Sequence, residues 1–249
     1  MRTGKAWPLI FAHRGASTDA PENTLAAFSL ALEQGADGIE LDAKLTADGE
    51  VVVIHDPMVD RTTDGRGRVS QMTLAQLRQL DAGIKKSADF KGCTIPTLAE
   101  VFEAVGNRLI INIELTNYGS PEDGLPGKAA RLVQTYHLEE SVLFSSFLPS
   151  NLVLIRKLAP QVPLAILARP GPAGRKHRSA HSRNVAQEFL HPHFLDTTKR
   201  LINREHAAGR QVTAWTVNIP FLMRNLIQAG VDGLITDNPR LGLTIRGQA

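Results

Sequence analysis

The chain has 249 residues, 43% of them hydrophobic, and a formal net charge of +3. That length sits near the upper limit for one core, and α/β barrels commonly reach it as a single domain. No apolar run approaches the ~20 residues of a membrane span, and the small charge, without a basic stripe interleaved with aromatics, argues against a nucleic-acid partner.

Met1–Pro8 leads into Leu9–Ala12, too short for a secretory core and followed by His13-Arg14 where a cleavage site would be needed. The lone cysteine, Cys93, cannot close an internal disulfide, so a cytoplasmic protein is expected.

Strand-forming runs then recur at Leu9–Ala12, Gly38–Leu41, Val51–Ile54, Leu109–Ile113, Val142–Phe144, Leu164–Leu167, Glu188–Leu190, Val212–Val217 and Gly233–Ile235. Helical patterns separate most of them. Asn23–Gln34 carries an apolar stripe, with Pro21 suited to its start and Gly35 to its end. Thr97–Val105, Gly127–His137, Pro149–Leu158, Thr198–Ala208 and Ile219–Ala229 follow, the last two closed by Gly209 and Gly230. Such alternation predicts parallel strands, best arranged as a (β/α)₈ TIM barrel.

Nine runs exceed eight staves. Ala47-Asp48-Gly49 is a turn too short for a parallel crossover, so Val51–Ile54 is expected as an antiparallel arm, bringing Glu40 opposite His55. Residues 57–96, with a Gly-Arg-Gly turn and a short helix near Leu74–Leu80, read as an insertion within a single domain spanning 1–249.

In such barrels chemistry gathers at the C-terminal strand ends. Those ends carry His13-Arg14, Glu40, Asp42, Glu114, Ser145-Ser146, Arg169, His191, Trp215 and Asp237. Alternation puts Glu40 and Asp42 on one strand face, about 7 Å apart. Glu114 ends a strand whose interior should be buried, where a carboxylate needs a partner or a cation. Glu40, Asp42 and Glu114 form an oxygen-rich set suited to one divalent cation, Mg²⁺ or Ca²⁺, rather than Zn²⁺. His13 and His55, bracketing the first pair, suit proton transfer, since an imidazole titrates near ~6.5.

The order His13-Arg14-Gly15, Pro21-Glu22-Asn23-Thr24, Glu40-x-Asp42, His55-Asp56, Glu114 resembles the glycerophosphodiester phosphodiesterases. Arg61–Gly65, Ser145-Ser146-Phe147, Trp215–Asn218 and Gly233–Pro239 extend the resemblance over about residues 9–240. It implies a (β/α)₈ barrel and metal-dependent hydrolysis of a small glycerophosphodiester to sn-glycerol 3-phosphate and an alcohol. Carried across, Glu40, Asp42 and Glu114 are metal ligands, His13 and His55 the acid and base in unassigned order, and Arg14 a phosphate clamp. The nucleophile, the glycerol 2-hydroxyl or water, stays open, with the resemblance favouring the hydroxyl.

One departure stands out. The family usually carries lysine two residues after the third acidic ligand, where this chain has Thr116. Lys44, on the Glu40/Asp42 face, is the expected substitute at the phosphate; Lys128 or water on Thr116 are the alternatives.

Asp56 either orients His55 or caps its loop. Trp215 either lines the substrate pocket or belongs to the core, and His191 and His193 read as structural. The basic stretch Arg169–Arg183 reads as a solvated loop, with contact to an anionic headgroup or a lipid surface as the minority reading. A lysophospholipase D-type lipid hydrolase would need an apolar rim, and no aromatic cluster or amphipathic anchor is visible, so no stable membrane association is expected. A non-catalytic phosphate-binding barrel would leave the histidine pair unused, and a glycosidase would leave both histidines and Arg14 idle. Homo-oligomerisation is left open.

Overall fold

The computed structural model describes residues 6–179 and 187–248; Met1–Lys5 and Arg183 of the basic stretch lie outside the described residues. Its strands are β1 (Leu9–His13), β2 (Gly38–Leu45), β3 (Val51–Val53), β4 (Ile110–Leu115), β5 (Val142–Ser146), β6 (Leu164–Ala168), β7 (Phe189–Pro192), β8 (Gln211–Ala214) and β9 (Gly233–Thr236). All but β3 pair in parallel, and β1 bonds to both β2 and β9, so eight strands close into a barrel. The expected (β/α)₈ architecture is therefore present.

β3 is the antiparallel arm on β2, with Ala43 facing Val53 and Leu45 facing Val51. The expected pairing of Glu40 with His55 is corrected by this register. The Thr46–Glu50 turn, closed by Thr46 N–H donating to Glu50 O at 3.1 Å, brings Ile54 opposite Asp42, where Ile54 N–H donates to Asp42 O at 2.9 Å. His55 lies beyond the paired residues.

The helices are α1 (Leu25–Glu33), α2 (Leu74–Leu77), α3 (Leu98–Val105), α4 (Leu125–Thr135), α5 (Pro149–Leu158), α6 (Lys199–Ala207), α7 (Pro220–Gln228) and α8 (Pro239–Gln248). α1 begins two residues later than the expected Asn23, capped by Thr24: its hydroxyl accepts from Ala27 N–H and donates to Pro21 O at 2.6 Å. A capping box joins Thr97 and Glu100 at α3. α8 is absent from the predicted helices, because Gly242 and Gly247 dilute its pattern although Pro239 suits a first turn. Among the described residues no helix is long and apolar enough to cross a membrane.

Leu9, Phe11, Ile110, Leu143, Ala165, Phe189 and Ile235 form an apolar plug at the barrel axis, with Trp215 packed on it. Gly38 makes room for this plug, since a Cβ there would meet the Phe11 ring at 2.7 Å and Ile110 O at 2.5 Å. Residues 57–96 build a smaller cluster of their own, in which Val59, Val69, Leu77, Ala82 and Ile95 pack on Val52 and Ile54 of the β3 arm. The plug closes the barrel below, so polar side chains collect at the C-terminal strand ends above it.

Candidate active site

β1 ends at His13, and the chain then turns sharply. Arg14 and Asn23 both adopt left-handed backbone, each with φ +56°, a conformation costing a non-glycine residue ~1 kcal/mol or more. Main-chain bonds hold the turn: Arg14 N–H donates to Glu40 O and Asn23 N–H to Arg14 O, each at 2.9 Å. The Arg14 and Asn23 side chains are thereby aimed at the end of β2, where Asn23 Nδ2 donates to Asp42 Oδ2 at 2.9 Å and Arg14 Nε lies 3.3 Å from the same oxygen.

Glu40, Asp42 and Glu114 each offer an oxygen within 4.8 Å of the others. Burial and then the neighbouring Asp42 push Glu40 well above the usual carboxylate range, and the same causes in the same order push Glu114 to about 8. Three carboxyls this close cannot all ionise without added positive charge. The donor set, all oxygen and converging on one point, therefore fits a hard divalent cation. Tyr118 completes it, its hydroxyl donating to Glu114 Oε1 at 2.5 Å. Burial and Glu114 raise the phenol's pKa, so it stays a donor.

Both histidines are backed by a carboxylate at Nδ1. His13 Nδ1 sits 2.6 Å from Asp237 Oδ1, and its Nε2 faces Glu40 Oε2 at 3.9 Å. Asn218 fixes Asp237 from behind, with Nδ2 donating to Asp237 Oδ2 at 2.5 Å and Oδ1 accepting from Asp237 N–H at 2.9 Å. His55 Nδ1 sits 2.6 Å from Asp56 Oδ1. Asp56 accepts from Arg61 Nε at 2.6 Å, Arg61 donates to Glu22 at 2.7 and 2.8 Å, and Glu22 accepts from Arg14 Nη1 at 2.8 Å. This relay of alternating charge runs from His55 through residue 61 back to Asp42. Burial opposes ionisation of Asp56 and Glu22, but their arginine partners prevail and hold each carboxyl at about 2.

A cavity of about 120 Å³ opens among His13, Arg14, Glu40, His55 and Glu114 on its polar side and Phe147, Leu167, Trp215 and Ile235 on its apolar side. The family model for the "Glycerophosphoryl diester phosphodiesterase family" matches residues 13–241. The chain belongs to this family. A glycerophosphodiester phosphodiesterase of Caldanaerobacter subterraneus subsp. tengcongensis is 42% identical over 93% of this chain and 94% of its own. One of Bacillus altitudinis is 37% identical over 95% and 97%. A solved Oleispira antarctica phosphodiesterase, in complex with the product sn-glycerol-3-phosphate, superposes with a TM-score of 0.88 at 32% identity, covering 96% of each chain.

Seven of the eight predicted site residues meet at this cavity or its carboxylate floor: His13, Arg14, Glu40, Asp42, His55, Glu114 and Trp215. Trp215 lines the cavity and also joins the packing, its Nε1 donating to His191 O at 2.8 Å and its ring standing edge-on to Phe147. The eighth, Lys44, points into a neighbouring cavity shared with Arg68 and Asp123. There its Nζ donates to Thr116 Oγ1 at 2.7 Å and Thr116 O at 3.1 Å. Its ammonium stays within electrostatic reach of Asp42 and Glu114, which partly offset the burial that lowers its pKa. Lys128 instead donates to Gly49 O at 2.5 Å on the hairpin turn.

Sequence reasoning did not assign Asn218 and Asp237 as supports of His13, nor Tyr118 as the partner of Glu114. The first pair sits in the quoted Trp215–Asn218 and Gly233–Pro239 stretches, so the signal was present. Tyr118 gave none.

Proposed function

We propose that the chain hydrolyses glycerophosphodiesters to sn-glycerol 3-phosphate and an alcohol, using His13 and His55 for proton transfer and one divalent cation, Mg²⁺ or Ca²⁺, on Glu40, Asp42 and Glu114. The observation that carries this reading is the pair of carboxylate-backed histidines flanking three convergent carboxyls in one cavity. The named relatives and the product held by the Oleispira antarctica enzyme support the substrate class.

When bound, the cation supplies positive charge against the non-bridging oxygens of the phosphodiester. Arg14, at the cavity wall, adds a guanidinium to the same anion. Asp237 and Asp56 accept the Nδ1–H of His13 and His55, leaving each Nε2 for the substrate. One Nε2 removes the proton of the glycerol 2-hydroxyl as its oxygen bonds to phosphorus. The other protonates the departing alkoxide, so the P–O bond to the alcohol breaks without releasing a strong base. The resulting cyclic phosphate is opened by water with the two roles exchanged. The apolar wall of Phe147, Leu167 and Trp215 accepts the carbon side of the glycerol unit.

Lys44, hydrogen-bonded to Thr116, serves in this reading as the displaced positive charge of the site, acting on the phosphate through space. Residues 1–249 form one domain in which 57–96 is an insertion that supplies Arg61 to the His55 relay. A cytoplasmic location rests on the lone Cys93.

The test is release of glycerol 3-phosphate from glycerophosphocholine by the purified chain. EDTA should abolish it, Mg²⁺ or Ca²⁺ should restore it, and His13→Ala should remove it with any cation. Cation-independent release would reject the metal reading, and a fully active His13→Ala protein the two-histidine reading.

A further inference from the structure

The rim of the cavity mouth carries a surface with no role in the chemistry above. Leu195 is 70% exposed, Ile219 54% and Phe221 65%. Scattered exposed apolar residues need no explanation, but Leu195 and Ile219 lie in consecutive loops on the catalytic face, and Phe221 lies in the first turn of α7, directly after Ile219 and Pro220. The β7–α6 loop is tied to the β8–α7 loop where Phe194 N–H donates to Trp215 O at 2.9 Å and where His193 bridges Trp215. Ile219 directly follows Asn218, which holds the carboxylate behind His13.

Beside this apolar edge lies a cavity of about 530 Å³ with four arginines in its walls and Asp196 as its acidic member. Arg178 pairs with Asp196 at 3.1 Å and Arg204 with Glu205 at 2.7 Å. Arg175 and Arg200 are exposed, and their side chains have no hydrogen bond or ion pair among the described residues. Arg200 also stands in the first turn of α6, and that turn holds no acidic residue. A cation at that helix end is unfavourable unless an anion is supplied from outside.

The geometry points to a docking surface for an anionic lipid bilayer. Leu195, Ile219 and Phe221 would enter the headgroup boundary while Arg175 and Arg200 meet lipid phosphates, presenting the catalytic mouth to the membrane. This goes beyond the catalytic reading and replaces the expectation of no membrane association. The linear sequence hides the rim because Leu195 comes from the β7–α6 loop and Ile219 and Phe221 from the start of α7.

Vesicle co-sedimentation of the full chain tests it, comparing 1:1 phosphatidylglycerol:phosphatidylcholine with phosphatidylcholine alone at low and high salt. Binding should need the anionic lipid and weaken as salt screens it. Each near-surface charge counts for about fivefold in partitioning. Arg175→Glu/Arg200→Glu should therefore weaken binding about 25-fold or more, and Leu195→Asp/Phe221→Asp should abolish it. Both variants should keep the parental thermal melt and glycerophosphocholine turnover. Equal binding to neutral vesicles, or no effect of either variant, would overturn the proposal. So would a solution dimer that Phe221→Asp dissociates, since a second copy would then cover the face. Binding is read without turnover, so its failure leaves the catalytic reading standing, and inactive protein that still binds fails that reading alone.

Discussion

Asp237→Asn tests the two-histidine mechanism at its least conspicuous point. In the native site one carboxylate oxygen accepts from His13 Nδ1–H and the other from Asn218 Nδ2. An amide has only one acceptor. Asn218 Oδ1 already accepts from the main-chain N–H of residue 237 and from Thr236 Oγ1, which fixes Asn218 Nδ2 as a donor. The new carbonyl must therefore face Asn218, and its NH₂ must face His13. Nδ1 is then forced to accept, the ring proton moves to Nε2, and the nitrogen facing the substrate can no longer take a proton. As a general acid His13 fares no better, because imidazolium would set an N–H against an NH₂. An amide in place of a histidine's buried carboxylate partner has cost about 10⁴ in turnover in a serine protease triad. The Asp237 side chain is 34% exposed, so water relieves part of the conflict and a loss of about 10²–10³ in kcat is expected. Asp237→Ala, which removes the restraint without imposing the wrong tautomer, should lose less. The assay is steady-state hydrolysis of glycerophosphocholine with saturating cation, with thermal melts to show that both variants fold. A fall below about threefold for the amide, or a larger fall for alanine than for the amide, would refute the reasoning.

Three further outcomes follow from the same geometry. Lys44→Met should lower kcat by about 10–100-fold by removing a charge near the developing anion, and Thr116→Lys in that background should restore most of it; turnover unchanged in Lys44→Met would end the displaced-charge idea. Glu114→Gln should raise the melting temperature of the cation-free protein by removing a carboxyl that burial and Asp42 force to take up a proton on folding, at about 2–4 °C per kcal/mol for a chain of this size, and should abolish the further rise produced by Mg²⁺ or Ca²⁺; a cation-induced shift of native size in the variant would remove Glu114 from the ligand set. Burial holds His191 down to about 3, so the unfolded chain gains a proton below about pH 6.5 that the folded chain refuses, and stability is lost as pH falls from there towards 3. The loss is on the order of 4–5 kcal/mol, and His191→Phe should flatten the decline of urea midpoints between pH 7 and 4; an unchanged slope would assign the acid sensitivity elsewhere.

The elements that could be read in advance are those whose information is local. Glu40 and Asp42 share a face because alternation is a property of any strand, and His55 follows a turn too short for anything but a hairpin. Helix starts are harder: Pro21 suits the entry to a helix over Asn23–Gln34, and only the hydrogen bonds of Thr24 mark that residue as the cap of α1. The arm register came out one residue off because turn geometry, not hydrophobic pattern, sets it, and β3 is buried along its whole length. Lys44 is expected at the phosphate in place of the lysine missing at Thr116; its side chain bonds to Thr116 but faces the neighbouring cavity, which is lined by the segments after β3 and β4.

The support of His13 shows where local reading stops. Barrel closure makes β1 and β9 neighbours, and their register pairs Leu9 with Gly233 and Ala12 with Thr236. The same offset carried one residue further sets His13 beside Asp237, 224 residues away in sequence. Closure was predictable, but the offset was not: sliding β9 by two residues preserves which side chains face the axis and so leaves the hydrophobic pattern unchanged. The stagger of a closed barrel is a property of the whole ring of strands. A slip by two would keep the core intact and leave His13 without its carboxylate. The site therefore depends on barrel register more sharply than the fold does, and the residues that hold it there are the ones a strand-by-strand reading passes over.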